Sequence, residues 1–351
     1  MSTSLALPRS ARLDISTHCQ LKCPSCPTAA GLIAEQLGAG FTDATQFEKF
    51  VRVNPQIAHI ELSNWGEVLL NPDFPAITAI AFRHHVALTI GNGVNLNTAK
   101  AEALEALVRD KIRLITCSID GASQPTYEQY RKGGNFDRVI ANVKSINEFK
   151  KKYKSRFPIL LWQYVVFEHN KHELEMARSL AQSLGMEFYA KISWDSELAP
   201  AEANKELYQE QTNKAYMQGY ICKQLFSSPQ INWDGRLLGC CVNSWGNYGN
   251  LHDNPLAELW NGERLTYARS MLLGQAESRA DVPCSTCDIY KSMDANGAHL
   301  KRTDIRDPLP VRLGLRFGRL GISLANRHWW AERLMEAAIR SVIRSLPTLN
   351  S

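Results

Sequence analysis

Ser16-Thr17-His18-Cys19-Gln20-Leu21-Lys22-Cys23-Pro24-Ser25-Cys26-Pro27 places three of the chain's nine cysteines within eight residues, in the spacing C-x3-C-x2-C. The run directly follows an apolar, strand-like stretch at residues 12–16, so it reads as the loop leaving a first strand. Pro24 and Pro27 keep it from being regular helix. Thiolates favour iron–sulfur clusters and zinc. A cubane cluster ordinarily takes four cysteines. Three close together with no near fourth leave one iron open, and an open coordination position is where a substrate binds.

Outward from this loop, short apolar runs alternate with amphipathic stretches. Strands are expected at residues 12–16, 59–63, 86–91, 113–119, 159–167 and 187–193. Helices are expected between them at 43–53, 74–84, 97–110, 135–152 and 171–184, with Asn97 or Thr98 as the cap of the third. In the last helix Leu174, Ala177, Leu180, Ala181 and Leu184 recur at helical spacing. Six strands alternating with helices predict an α/β fold, a partial (β/α)6 TIM-like barrel with parallel strands. Chemistry in such barrels sits at the C-terminal ends of the strands, which is where the three-cysteine loop falls.

The expected organisation is a barrel over residues 8–200, a polar linker helix over 201–219, a small Cys-rich domain over 220–300 and a basic tail over 301–351. From Ile305 onward eight arginines face three acidic residues, which accounts for the whole net charge of +5. The body is therefore near neutral. No basic n-region with a following apolar stretch opens the sequence, and no run reaches the length of a membrane span, so the expected location is cytoplasmic. In that compartment thiols stay reduced, and two groups of cysteines far apart read as metal sites, not disulfides.

The second group is Cys222, then Cys240-Cys241 after a hairpin turn at Asp234-Gly235, then Cys284 and Cys287 as C-x2-C. The C-x2-C pair grips one metal, and the remaining ligands come from Cys222 and from Cys240 or Cys241. Four thiolates complete the coordination of a cluster or of a zinc ion.

The C-x3-C-x2-C loop after the first strand resembles the signature of the radical S-adenosylmethionine (SAM) superfamily. Ser25 stands where members often carry an aromatic residue. Ser63-Asn64-Trp65-Gly66-Glu67 is similar to the family's Gly-Gly-Glu-type motif, Gly91-Asn92-Gly93 to its Asn-Gly turn, and Cys117-Ser118-Ile119-Asp120-Gly121 with Arg131 and Gly133-Gly134 to a further stretch. The resemblance implies an open iron that chelates the amino and carboxylate groups of SAM. It implies close backbone approach at Gly66 and hydrogen bonds from the SAM ammonium to Glu67. By the same resemblance Asn92, Ser118 and Asp120 lie near the ribose or methionine moiety, and Arg131 clamps a carboxylate. The later cysteines resemble a twitch domain, the shorter relative of the SPASM domain, which implies a second [4Fe-4S] cluster on Cys222, Cys240, Cys284 and Cys287. Gly235 and Cys240 fit that domain's Gly-x4-Cys step, with Cys241 left open.

Two thiols, Cys241 and Cys117, are candidate hydrogen-atom donors, although a buried cysteine is commonly an inert small hydrophobe. Lys191 and Asp195, at the end of the sixth strand, are candidate substrate contacts. His18 and Lys22 flank the ligands. The expected function is reductive cleavage of SAM and hydrogen abstraction, with the second cluster supporting oxidation or epimerisation of a carbohydrate-like small molecule. Modification of a peptide or protein and a non-catalytic metal-binding scaffold are the alternatives. A flavodoxin or ferredoxin is the expected reductant. Arg312, Arg316, Arg319, Trp329, Trp330, Arg333, Arg340 and Arg344 make the tail a candidate for contact with an anionic substrate or a membrane surface. No nucleic-acid motif accompanies it.

Overall fold

The structure is a computed structural model that describes residues 5–193, 195, 197–200, 218–307 and 309–346. Six strands run parallel in chain order: β1 (Ser10–Leu13), β2 (His59–Glu61), β3 (Ala87–Val94), β4 (Leu114–Ser118), β5 (Ile159–Val166) and β6 (Glu187–Ile192). Each pairs with its sequence neighbour, and β6 and β1 do not meet, so the barrel is partial. The strands are apolar almost throughout, as in β5, Ile-Leu-Leu-Trp-Gln-Tyr-Val-Val, because a parallel sheet is covered on both faces.

The helices on the outside form where the sequence alternates at helical spacing. In α2 (Ala44–Val53), Asp43 accepts the Gln46 N–H at 2.7 Å as the cap, and Phe47 and Val51, four residues apart, are fully buried. Each such side chain gains about 1.5–3 kcal/mol from burial. Asn135 caps α6 (Phe136–Lys152) in the same way, and Lys150, Lys151 and Lys152 fill its last turn, where the helix dipole favours cations. The remaining barrel helices are α1 (Leu32–Leu37), α3 (Phe74–Arg83), α4 (Ala101–Arg109), α5 (Gln124–Tyr130) and α7 (Leu174–Ser183).

Several boundaries differ from the sequence expectation. α4 begins at Ala101 and neither Asn97 nor Thr98 caps it. Asn97 is spent elsewhere: it donates to the Tyr127 hydroxyl at 2.8 Å and accepts the Asn135 N–H, joining β3's exit to α6. β3 does not stop at Gly91 but continues through a register shift to Val94. The expected linker helix at 201–219 lies almost wholly outside the described residues.

After a π-helical turn at Gln218–Cys222 and α8 (Gln224–Ser227), a hairpin of β7 (Gln230–Ile231) and β8 (Leu237–Gly239) follows. β7 pairs in parallel with β1, through Arg12↔Gln230 and Leu13↔Ile231, so the Cys-rich segment continues the barrel's sheet. Residue spacing along the chain gave no sign of this. α9 (Leu256–Trp260), α10 (Glu263–Leu272) and α11 (Asp288–Ala295) complete that segment.

The tail forms two helices, α12 (Leu309–Arg327), kinked at Gly318, and α13 (Trp329–Arg344). Both are fastened to residues that precede strands. Arg319 donates to the Ile57 carbonyl at 2.8 Å, Lys111 pairs with Glu332 at 2.8 Å, and Arg156 N–H donates to Glu332 at 2.9 Å. The tail therefore covers the base of the barrel, opposite the three-cysteine loop.

Candidate active site and auxiliary metal centre

The loop after β1 is held against the loop after β2 by backbone. Glu67 N–H donates to the His18 carbonyl at 2.7 Å, and the Thr28 hydroxyl to the Trp65 carbonyl at 2.8 Å. A Cβ on Gly66 would stand 2.1 Å from the Ser16 carbonyl oxygen. The close approach at Gly66 is thus to the cysteine loop itself. His18 is exposed and packs on Phe41, and the Lys22 side chain is exposed.

Two polar side chains are aimed at the thiols. Asn95 Nδ2 lies 3.8 Å from Cys19 Sγ, and Arg131 Nη1 lies 3.8 Å from Cys23 Sγ. Burial pushes the Cys19 thiol up to about 11 and raises that of Cys23, partly offset there by Arg131. Cys26 completes the set, its N–H bonded to the Cys23 carbonyl at 3.1 Å. Asn95 also accepts Gln20 Nε2 at 2.7 Å, so it joins the loop to the exit of β3. Sequence reading passed over Asn95; its signal was its position just beyond the Gly91-Asn92-Gly93 turn.

The carboxylates of the site are engaged by the protein. Glu67 accepts the Asn95 N–H at 2.7 Å and the Leu69 N–H at 3.2 Å, and burial lifts it to about 7. Asp120 accepts Arg131 Nε at 2.6 Å and the Val165 N–H at 2.8 Å, and is fully buried. Arg131 is thereby fixed between Asp120 and Cys23, with its pKa raised by those two neighbours against the opposing effect of burial. Asn92 donates to Asn64 Oδ1 at 3.1 Å, and Ser118 lies where a Cβ on Gly93 would meet its hydroxyl at 2.4 Å. Glu61, unremarked in the sequence, accepts the Gly91 N–H at 2.7 Å and the hydroxyls of Ser63 and Thr89, and so sets the turns after β2 and β3.

The Lys191 side chain has no hydrogen bond or ion pair among the described residues. It stands at the end of β6 near Asp120 and Arg131, and burial brings it down to about 8. Asp195 accepts the Ser25 hydroxyl at 2.6 Å, which ties the segment after β6 to the cysteine loop. Cys117 is fully buried in the apolar core within β4.

Four of the five cysteines of the second group border one small pocket. Cys222, Cys240, Cys284 and Cys287 line it together with apolar side chains such as Leu225, Leu238 and Leu272; Cys241 does not. Gly239, at φ 85°, turns the chain into Cys240 and lets Tyr248 pack where a Cβ would meet its ring at 2.8 Å. The Tyr248 hydroxyl lies 3.2 Å from Cys284 Sγ. Cys241 is directed elsewhere: Gln224 Nε2 reaches its sulfur at 3.3 Å, and Asn64 Nδ2 donates to its carbonyl at 3.0 Å. Cys241 therefore joins the auxiliary segment to the Ser63–Glu67 turn. Trp65 packs with Ile33, Leu37 and Leu238 across the same junction.

These residues fit iron–sulfur clusters. Amide and guanidinium donors directed at thiol sulfurs suit thiolates that carry charge, and four thiols lining one pocket suit a fully coordinated cluster. Among the described residues no three His, Cys, Asp or Glu side chains converge as the ligands of a single metal ion would. The fit rests on the thiols around the pocket and the donors aimed at them.

Residues 222–288 match the SPASM family, an iron–sulfur cluster-binding domain. No curated protein sequence matches the chain. Among solved structures, Streptococcus suis SuiB bound to S-adenosylmethionine is similar at 14% identity, TM-score 0.60, over 83% of this chain and 73% of that one. Native anSMEcpe with bound AdoMet is similar at 13% identity, TM-score 0.51, over 95% and 99% of the two chains. BtrN in complex with AdoMet and 2-DOIA is similar at 13% identity, TM-score 0.50, over 81% and 94%. The chain therefore carries a SPASM iron–sulfur cluster-binding domain on a barrel with the fold of radical SAM enzymes.

Proposed function

We propose that the protein is a radical SAM enzyme that oxidises or epimerises a carbon of a carbohydrate-like small molecule. The observation that carries this reading is the joining of two thiol sets through one contact region. Cys19, Cys23 and Cys26 sit at the strand ends, and the four-thiol pocket is attached to that same end through Asn64, Trp65 and Cys241. Cys19, Cys23 and Cys26 would hold a cluster that would supply the electron for reductive cleavage of SAM, and Cys222, Cys240, Cys284 and Cys287 one that would take up the electron left by substrate oxidation.

The chain's own residues supply the rest. Asp120 holds Arg131 against Cys23, and Arg131 is positioned for an anionic group of SAM. Glu67 retains lone pairs for the SAM ammonium beyond the two N–H groups it accepts. Asn92 and Ser118 border the same turn. Lys191, an unpaired amine close to neutrality, takes the proton from a substrate hydroxyl as its carbon is oxidised. Asp195 shapes the rim beside Ser25. For an epimerising outcome Cys241 is the proposed hydrogen donor in preference to Cys117, because Cys241 abuts the Ser63–Glu67 turn and Cys117 lies within the apolar core. A flavodoxin or ferredoxin is the proposed reductant.

A peptide substrate is the second reading. It is favoured by the likeness to SuiB, which has also been solved bound to the precursor peptide SuiA, at 15% identity and TM-score 0.58.

Anaerobic reconstitution tests the proposal. About eight irons per chain are expected, four per cluster, falling to about four in a Cys284→Ala/Cys287→Ala variant. Dithionite and SAM should yield 5′-deoxyadenosine, and Cys19→Ala, Cys23→Ala and Cys26→Ala should each abolish it. With ring-deuterated sugars or cyclitols, deuterium should appear in the 5′-deoxyadenosine. Transfer from a peptide only would select the second reading. No cleavage by fully loaded protein would leave a metal-binding scaffold.

A further inference from the structure

The tail helix α13 carries two apolar stripes. One of them, Met335, Ile339 and Ile343, packs on Phe157, Ile159 and Leu161 at the base of the barrel. The other, Trp330 and Leu334, four residues apart, lies on the opposite side and is exposed, Leu334 by 66%. Trp329 at the helix start is 71% exposed, and Phe317 and Leu320 on α12 are exposed by 65% and 67%. A helix that only packs on its own protein turns a polar face to water. This pair turns large hydrophobic side chains outward.

The charges divide the same way. The only acidic residues between 309 and 346 are Glu332 and Glu336. Both are turned inward, Glu332 to Lys111, and Glu336 to Arg156 and Arg340. The outward charges are Arg312, Arg316, Arg327, Arg333 and Arg344, all exposed. Among the described residues no helix is long and apolar enough to cross a membrane.

We propose that α12 and α13 form a surface that lies on an anionic lipid bilayer, seating Phe317, Leu320, Trp329, Trp330 and Leu334 in the headgroup boundary with the arginines against lipid phosphates. Tryptophan suits that boundary because its ring is apolar and its N–H is wet. Unpaired arginines with all acids withdrawn match a negative surface. The surface is at the base of the barrel, so the strand ends that carry the cysteine loop point away from the bilayer. The inference is independent of the substrate.

The test uses the full-length reconstituted protein and sedimentation with vesicles. One set is phosphatidylcholine alone; the other contains roughly one-third phosphatidylglycerol. Binding to the anionic set at least about tenfold above the neutral set is expected, weakened by about 0.5 M salt as charges are screened. Trp329→Ser/Leu334→Ser and Arg316→Glu/Arg333→Glu should each abolish it. These residues are exposed, so circular dichroism and 5′-deoxyadenosine yield should be unchanged. Equal binding to both vesicle sets, or none, overturns the proposal. So does a concentration-dependent dimer in analytical ultracentrifugation that the Trp329→Ser/Leu334→Ser variant dissociates, since a second copy would then be the occupant.

Discussion

The Tyr248 hydroxyl lies 3.2 Å from Cys284 Sγ, inside the pocket that the four later cysteines line. A hydroxyl donating to a thiolate stabilises the more reduced, more negative state of a cluster. Tyr248→Phe should keep about eight irons but lower the auxiliary cluster's reduction potential by on the order of 50 mV, equivalent to about 1 kcal/mol for one electron. A redox titration followed by electron paramagnetic resonance measures it. An unchanged potential would show that the hydroxyl only fills space.

Gly66 is predicted to be intolerant of any side chain. A Cβ there would overlap the Ser16 carbonyl oxygen at 2.1 Å and crowd the His18 carbonyl oxygen at 2.9 Å, both backbone atoms. Gly66→Ala should cost about 3 kcal/mol or more in stability. It should also displace the cysteine loop, so that iron falls to about four per chain while the auxiliary site stays loaded. Full iron content with normal SAM cleavage would refute this.

Asp120 and Arg131 form a buried pair whose partners depend on one another. Asp120→Ala leaves the largely buried guanidinium without its carboxylate partner, beside Cys23 and the Tyr130 ring. A loss of about 3–5 kcal/mol is expected in chemical denaturation. The double variant Asp120→Ala/Arg131→Met should be more stable than Asp120→Ala alone, because no unpaired charge remains. Additive losses would mean that the pair is not coupled.

Asp14 carries a pH signature. It is buried, accepts the Trp65 N–H at 3.2 Å, and burial raises it from 3.8 to about 7 despite Arg12. The folded state therefore binds more protons than the unfolded state between about pH 4 and pH 7. Stability should fall as pH rises through that window, by up to about 1.4 kcal/mol per pH unit from this group. Asp14→Asn should flatten that slope and be more stable than the parent at pH 8. Denaturant midpoints for both proteins across pH 5–8 decide it, and parallel profiles would count against the assignment.

Much of the fold was legible along the chain. The six strands and five of the seven barrel helices fall within a few residues of the expected bounds, because apolar spacing and caps are local; the short α1 and α5 had no counterpart in that reading. α4 was placed too early because Asn97 has cap chemistry but is recruited by Tyr127 and Asn135 from a distant helix. α12 was missed because Pro310 and three glycines between 314 and 321 argue against a helix. Packing against Arg9, Val51 and Ile57 overrides that propensity.

The sequence by itself determined the two thiol sets, since C-x3-C-x2-C and C-x2-C place ligands that a few covalent bonds already hold close. It determined the order of turns after the strands for the same reason. Only the tertiary structure decided between Cys240 and Cys241, which are adjacent in sequence and point to different neighbours: one lines the four-thiol pocket, the other meets Gln224 and Asn64. It also decided that β7 extends the barrel at β1, and that the tail's acids turn inward while its arginines face out. The Asn64–Cys241, Lys111–Glu332 and Arg156–Glu336 contacts each join residues 100 or more positions apart. Packing of whole elements sets them, and no local spacing encodes it.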